Sequence, residues 1–211
     1  MKRSKFLRFY LTCLLNEVFL ALMGYNWRYL KTMIEVEVKV KVDHDKARSI
    51  LKKIGAIKIK LEDQSDTYFT APHRDFTKTD EVLRIRSLEE RAVLTYKGPK
   101  LDDVSKTREE LETPVDGITA KRVLNALGFS EAGIVNKIRE VFKVGEIIVC
   151  LDAVENLGQF LEVEIITKNE KYIEISRQKL FEFLKQFDFE EKDSIRKSYL
   201  EMIHEVTYPL S

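Results

Sequence analysis

The stretch that decides the fold runs from Ile34 to Val42 and reads Ile-Glu-Val-Glu-Val-Lys-Val-Lys-Val. β-Branched aliphatic residues alternate strictly with charged ones, which is the period of a β-strand, because successive side chains point to opposite faces of a sheet. One face of this strand is therefore apolar and the other is charged. Taken alone, the stretch is typical of an antiparallel strand with one solvated face.

Like charges that recur in pairs on later strands argue against a simple solvated face. The pairs are Glu35/Glu37, Arg84/Arg86, Lys137/Arg139 and Glu162/Glu164. Side chains at i and i+2 lie roughly 7 Å apart on one face, so like pairs repel unless an opposite charge lies near them. Closing about eight strands into a barrel brings cationic strands opposite anionic ones across a narrow lumen.

We therefore predict an α+β fold that is mainly antiparallel β. Its core is expected to be a closed eight-stranded β-barrel that forms a tunnel, with flanking α-helices on the apolar faces of the strands. An open sheet that shows its charged face to water is the alternative.

Composition bounds the class of protein. The chain has 211 residues, of which 34% are charged and 44% hydrophobic, as expected for a folded protein with one substantial domain or two small ones. Lys and Arg total 36 against 35 Asp and Glu, so no net field favours nucleic acid or an anionic membrane. Two cysteines and three histidines lack metal-ligand spacing, which argues against a zinc site and suits a reducing, cytoplasmic compartment.

The first 32 residues are mostly apolar after a basic start. Asn16 and Glu17 interrupt the apolar run, so it lacks the roughly 20 uninterrupted apolar residues of a bilayer-spanning helix. A membrane partner is therefore not expected. We expect Met33 to be the natural start and residues 1–32 to be a gene-start extension; an amphipathic anchor or an extra packing helix is the alternative. The tunnel domain is expected over residues 33–205, with a C-terminal tail at 206–211.

Periodicity and turn residues predict the remaining elements. In chain order we expect a helix from Asp43 to Gly55, a strand over Ile57–Thr70, a loop over Ala71–Asp80, a hairpin of Leu83–Arg86 and Ala92–Lys97, a polar linker over Lys100–Lys106, a strand over Thr107–Thr113, a helix that begins between Pro114 and Gly117, strands over Val135–Val144, Ile147–Asp152 and about Leu157–Ile165, and helices over 171–187 and 194–205.

The charged face carries two chemically distinct sets of side chains. Guanidinium and ammonium groups bind phosphate oxygens, and this set comprises Lys39, Arg84, Arg86, Lys97, Arg108, Lys137 and Arg139. Carboxylates are hard oxygen ligands for Mg²⁺ or Mn²⁺, and this set comprises Glu35, Glu37, Glu110, Glu112, Asp152, Glu162 and Glu164. A polyphosphate with its divalent metal satisfies both sets, whereas salt bridges between the sets are the purely structural alternative.

In order, these motifs resemble those of the CYTH domain, or triphosphate tunnel metalloenzyme, superfamily. The resemblance begins with Glu-x-Glu-x-Lys at Glu35, Glu37 and Lys39 and covers about residues 33–203. It continues through Asp66-Thr67-Tyr68, Leu83-Arg84-Ile85-Arg86, Leu94 to Pro99, Arg108 to Glu112, Lys137-Ile138-Arg139, Asp152, Leu157 to Phe160, Glu162-Val163-Glu164 and Ser198-Tyr199. Within the superfamily these sequence motifs are most similar to those of class IV adenylate cyclases of archaeal type, with thiamine triphosphatases as relatives.

The resemblance implies a role for each matching position. Phosphates would be held by Lys39, Arg84, Arg86, Lys97, Arg108, Lys137 and Arg139. Mg²⁺ or Mn²⁺ would be held by Glu35, Glu37, Asp152, Glu162 and Glu164, with Glu110 and Glu112 as less certain candidates. Lys39, Lys97 and Tyr68 are the candidate catalytic residues, although packing within the strand is the plainer role for Tyr68. A homodimer is also consistent with the resemblance.

Three functions remain open at this point. A class IV adenylate cyclase would convert ATP to cyclic AMP and pyrophosphate, and it is the function that the resemblance favours. A triphosphatase would hydrolyse thiamine triphosphate, inorganic triphosphate or a nucleoside triphosphate in the same tunnel. A non-catalytic polyphosphate-binding module would keep the cations but lose the metal carboxylates, and both acidic pairs are intact here.

Overall fold

The computed structural model describes residues 33–101 and 104–207, and eight antiparallel strands within them close into a barrel. The strands are β1 (Met33–Lys41), β2 (Ile57–Thr70), β3 (Val82–Ser87), β4 (Ala92–Lys97), β5 (Arg108–Val115), β6 (Ser130–Val144), β7 (Ile147–Val154) and β8 (Gly158–Thr167). Around the ring their order is β1-β5-β4-β3-β2-β6-β7-β8. The predicted α+β barrel is confirmed, and the open sheet is not what forms.

Five α-helices accompany the barrel in the described ranges. They are α1 (His44–Lys53), α2 (Phe76–Thr79), α3 (Gly117–Ala126), α4 (Ile173–Leu184) and α5 (Tyr199–Thr207), with 3-10 turns at Glu170–Tyr172, Lys185–Phe187 and Glu191–Asp193. Helix α1 begins after Asp43, whose side chain accepts a hydrogen bond from the Lys46 amide, as the sequence predicts.

The alternation in β1 sorts its side chains between the exterior and the lumen. Val36, Val38 and Val40 are fully buried and form one core with α1, α4 and the outer faces of β7 and β8. On the other face, β1 pairs with β8 in a register that sets Glu37 opposite Glu164. The charged pattern read from the sequence therefore lines the interior of the barrel.

Smaller cores join helices α3 and α5 to the barrel. Helix α3 packs Leu124 against Phe69 and Ile85 on the outside of the barrel. Tyr199 of α5 packs with Phe160 in an apolar cluster. The C-terminal helix thus packs against the barrel through this apolar cluster.

Several element boundaries differ from the predictions. The helix begins at Gly117 after the N-cap Asp116, within the predicted interval, but the strand predicted over Thr107–Thr113 extends to Val115, so that Pro114 lies in β5 opposite Val93. Among the described residues, β5 pairs with β1 over Arg108–Glu110, and no described strand pairs with this edge of β5 at Pro114, where a proline is tolerated.

Two further elements differ from the predictions. The predicted loop over 71–80 contains the short helix α2, whose N-cap is Asp75. The last helix begins at Tyr199 rather than Ser194 and continues to Thr207, two residues into the predicted tail. Ser198 precedes it as a cap, since its hydroxyl accepts a hydrogen bond from the Glu201 amide at 3.2 Å.

The prediction for residues 1–32 lies outside the described part of the chain, so a gene-start extension or amphipathic helix stays a prediction. Among the described helices, none has the length and apolar character needed to cross a membrane.

The packing of α4 on β1 generates a stability prediction. Leu180 is completely buried in this core. Leu180→Ala should therefore lower the free energy of unfolding by about 3 kcal/mol in urea titrations, because it leaves a cavity. Lys179→Ala on the same helix, whose side chain is half exposed, is the control and should cost less than about 0.5 kcal/mol. Equal losses in the two variants would contradict this packing.

Candidate active site

Neighbouring strands β1 and β8 form an acidic wall of the lumen. Glu35 and Glu37 lie on β1, and Glu162 and Glu164 lie on β8 at adjoining positions of the register. Burial and the nearby Glu35 carboxylate raise the pKa of Glu164 well above its ordinary value. The wall therefore relieves part of its like-charge repulsion by holding a proton.

On one side of this wall, Asp66 of β2 holds two arginines of β3. Both Arg86 hydrogen bonds to the Asp66 carboxylate measure 2.7 Å, and Arg84 Nη1 donates to the same carboxylate at 3.2 Å. Burial disfavours the charged carboxylate, but Arg84 and Arg86 outweigh it and hold the pKa of Asp66 below its usual value of 3.8. The two predicted phosphate-binding arginines are thus brought together and oriented by an acid that the sequence analysis did not assign to the site.

On the other side, Asp152 of β7 holds the cationic pair of β6. Its carboxylate accepts hydrogen bonds from Lys137 Nζ at 2.7 Å and from Arg139 Nε and Nη2 at 2.6 Å. The Tyr199 hydroxyl donates to the same carboxylate at 3.0 Å. Both oxygens of Asp152 are engaged, so this geometry favours a role in orienting Lys137 and Arg139 over the metal-ligand role predicted for it.

Lys39 is the most buried cation in the lumen, with no exposed surface. Its Nζ lies 4.0 Å from the centre of the Tyr199 ring and 3.8 Å from Glu162, and it has no hydrogen-bond partner among the described residues. Burial, reinforced by the charge of Lys106, lowers the pKa of Lys39 to about 7. A buried nitrogen with unused hydrogen-bonding capacity is suited to an oxygen of a bound ligand.

Lys97 of β4 bridges two carboxylates. Its Nζ lies 2.5 Å from Glu35 and 2.9 Å from Glu110, and these two acids outweigh burial and raise the pKa of Lys97. Burial also raises the pKa of Tyr68, which packs in the apolar cluster with Tyr199. Both groups are held in their protonated forms, so they are better donors than proton acceptors.

The remaining predicted residues are Arg108 and Glu112. Arg108 donates to the backbone carbonyls of Asp80 and Gly98, each at 3.2 Å, and so lies where β3 begins and β4 ends. Glu112 is half exposed and accepts a hydrogen bond from Thr95 at 2.8 Å. The structure therefore separates Glu112 from the buried acidic wall on β1 and β8.

Sequence reasoning missed three residues of this arrangement. Asp66 and Tyr199 stand within motifs that were recognised, but their contacts depend on strands or helices far away in the chain. Lys106 lies in the segment between β4 and β5, and its Nζ donates to Glu37 at 2.5 Å. A polar linker has no helix or strand periodicity, so the sequence contained no signal that predicts a role for this lysine.

The donor chemistry of the acidic wall fits Mg²⁺ or Mn²⁺, because carboxylate oxygens are the ligands that these ions prefer. Within residues 33–101 and 104–207, however, no three His, Cys, Asp or Glu side chains already converge as a metal-binding group. Cations lie among the acids instead: Lys97 at Glu35, Lys106 at Glu37 and Arg139 at Glu162. The carboxylates fit the metal once it replaces these lysine and arginine side chains as their partner.

A family model for the CYTH domain matches residues 33–199, which include the complete barrel. The chain belongs to the CYTH domain family. This confirms the resemblance read from Glu35, Glu37 and Lys39 and from the motifs that follow them.

Two of the similar proteins match over nearly their whole lengths, and a third matches over part of its length. A Methanocaldococcus jannaschii protein provisionally named as an adenylate cyclase is 44% identical over 177 residues, covering 81% of this chain and 98% of that protein. The adenylate cyclase CyaB of Aeromonas hydrophila is 29% identical over 126 residues, covering 58% of this chain and 63% of CyaB. Among solved structures, PH1819 of Pyrococcus horikoshii has a TM-score of 0.75 at 37% identity, covering 82% of this chain and 99% of PH1819.

The pairing of Asp66 with Arg84 and Arg86 in this CYTH domain predicts a pH-dependent contribution to stability. Asp66→Asn should lower the free energy of unfolding by about 3 kcal/mol at neutral pH, because it leaves two buried guanidinium groups without their carboxylate. Since the folded-state pKa of Asp66 is depressed, the stabilisation is present above its usual value of 3.8 and is lost as the pH falls below it.

Urea titrations of the wild type and Asp66→Asn between pH 7 and pH 3 measure this contribution. The gap between the two proteins should narrow as the pH falls. Asp63→Asn is the matched control, because Asp63 is exposed on the same strand, and it should cost less than about 0.5 kcal/mol throughout. A gap that stays constant with pH would contradict the proposed origin of the stabilisation.

Proposed function

We propose that this protein is a metal-dependent enzyme that acts on a triphosphate within the barrel, and that it is an adenylate cyclase that converts ATP to cyclic AMP and pyrophosphate. The observation that carries the proposal is the lumen itself, in which an acidic wall on β1 and β8 lies between cationic groups on β3 and β6. The choice of cyclase is supported by the 44% identity to the provisionally named archaeal cyclase.

The cations of the lumen supply the phosphate-binding groups in this proposal. Arg84 and Arg86 approach from one side and Lys137 and Arg139 from the other, while Lys39 contributes a buried nitrogen without a hydrogen-bond partner among the described residues. Lys97 and Arg108 complete the set. Guanidinium groups held by Asp66 and Asp152 are already oriented, so less side-chain freedom is lost when a phosphate binds.

The acidic wall supplies the metal-binding groups. Glu35, Glu37, Glu162 and Glu164 would hold Mg²⁺ or Mn²⁺, with Asp152 holding the neighbouring cations in place. A divalent ion bound there supplies charge neutralisation and polarisation of phosphate oxygens. Glu110 and Glu112 remain lesser candidates, because Glu110 is bridged by Lys97 and Glu112 is half exposed.

In the cyclase reaction the ribose 3′-hydroxyl gives up its proton to a base as its oxygen forms a bond to the α-phosphorus, and the bond from that phosphorus to the bridging oxygen breaks so that pyrophosphate leaves. The role of the protein is to hold the triphosphate so that this oxygen lies in line with the leaving group. Cations along the lumen stabilise the charge that develops on pyrophosphate as it leaves.

A triphosphatase is the second candidate function, because the same tunnel residues would serve it. There, water attacks the terminal phosphorus and orthophosphate is released. A binding module without catalysis is the third candidate, and the buried acidic wall argues against it. A cytoplasmic location and a homodimer remain predictions from the sequence.

Product analysis distinguishes these functions. Protein incubated with ATP and Mg²⁺ or Mn²⁺ should yield cyclic AMP with stoichiometric pyrophosphate, resolved by chromatography beside parallel reactions with thiamine triphosphate and inorganic triphosphate. Orthophosphate without cyclic AMP would replace the cyclase with a triphosphatase. Binding of triphosphate without any turnover would leave the binding module.

A variant of the acidic wall tests the metal-binding role. Glu162→Gln should reduce turnover about 100-fold, because it removes the charge of a carboxylate that we assign to the metal. Glu146→Gln is the control, because Glu146 lies in an exposed turn and is paired with Lys179. Turnover by the Glu146→Gln variant should stay within about twofold of the wild type. Unchanged turnover in Glu162→Gln would remove the assigned role.

A further inference from the structure

Lys106 reaches the acidic wall from outside the strands of the barrel. Its backbone amide donates to the Glu37 carbonyl at 2.9 Å, which fixes this residue beside β1. From there its Nζ donates to Glu37 Oε1 at 2.5 Å and lies 3.8 Å from Glu162 Oε1. The side chain is 13% exposed, so most of its charge is shielded from water.

A cation at the position of Lys106 Nζ interacts with carboxylates of both strands of the acidic wall. Glu37 belongs to β1 and Glu162 to β8, and the other oxygen of Glu162 is engaged by Arg139. An ammonium group and a divalent ion that bind the same two oxygens repel each other strongly in a shielded site. Only one of the two cations can hold those oxygens at a time.

Lys106 differs from the other lumen lysines in how it is attached. Lys39 and Lys97 lie within β1 and β4, whereas Lys106 precedes β5 and its side chain can turn without disturbing a strand ladder. A long, flexible ammonium side chain is suited to exchange one anionic partner for another.

We propose that Lys106 is an internal counter-ion that competes with the divalent metal for Glu37 and Glu162, and that metal binding releases it to become an additional ligand of the triphosphate. The inference rests on the proposed function, because it assigns the metal to these carboxylates. It adds a residue from the β4–β5 segment to the site and explains why the acids do not converge as a ready metal cluster.

Binding of Mn²⁺ without nucleotide, followed by electron paramagnetic resonance of the free ion, tests the competition. Lys106→Met should bind Mn²⁺ about tenfold more tightly than the wild type, because the competing charge is removed. Lys106→Arg retains the charge and should bind Mn²⁺ as the wild type does. Lys106→Gln provides a second neutral side chain and should repeat the gain.

Binding of inorganic tripolyphosphate at saturating Mn²⁺ tests the second half of the proposal. Lys106→Met should bind it about tenfold more weakly, because one phosphate ligand is lost. The two affinities are thus expected to change in opposite directions. A residue with a purely structural role would weaken both when removed, and that result would overturn the proposal.

Lys100→Met is the matched control for loosening of the segment. Lys100 lies in the same segment, but its Nζ binds Asp80 at 2.7 Å rather than the acidic wall. The Mn²⁺ affinity of Lys100→Met should equal that of the wild type. A tenfold gain in Lys100→Met would mean that loosening of the segment, and not loss of the Lys106 charge, raises the affinity.

Failure of the wild type to bind Mn²⁺ contradicts the proposed metal site, whereas normal wild-type binding without a gain in the neutral Lys106 variants overturns only the counter-ion inference.

Discussion

The structure depends on the pairing of charges inside a narrow barrel. A buried charge without a partner costs several kcal/mol, and this lumen contains many charges of both signs. Asp66 pairs with Arg84 and Arg86, and Asp152 pairs with Lys137 and Arg139. The carboxylate between each pair of cations lowers the repulsion between like charges two residues apart on one strand.

The same pairing prepares the lumen for a ligand of mixed charge. Asp66 and Asp152 hold the cations of β3 and β6 through hydrogen bonds. The acids of β1 and β8 are instead held by lysines and by Arg139, and in the proposed function a bound metal replaces those partners. The barrel thus contains two kinds of ion pair, one that orients side chains and one that occupies the place of a ligand.

Whether a feature of the fold or the site could be predicted depends on how far apart in the sequence its interacting residues lie. Alternation at Glu35, Glu37 and Lys39 depends only on the period of a strand, so the fold and the lumen-facing residues could be read from the sequence. The hydrogen-bond partners of the lumen residues could not be predicted in this way, because they lie far away in the sequence. Tyr199, which donates to Asp152, lies 47 positions further along the chain. The predicted strand ended before Pro114, because the place of a proline in β5 depends on which strands lie beside it, and only the ring order reveals that.

Within residues 33–101 and 104–207, the junction of β1 with β5 has the fewest residue pairs of any junction in the ring. Three residue pairs join these strands, whereas eight join β1 to β8. Beyond Glu35, the edge of β1 is completed by single amides of Lys106 and Ile195, which donate to the carbonyls of Glu37 and Lys39. The ring therefore has a seam, held by two loops rather than by a continuous ladder. Local opening costs least where few backbone hydrogen bonds must break together, so among the described junctions we expect this seam to open at the lowest cost.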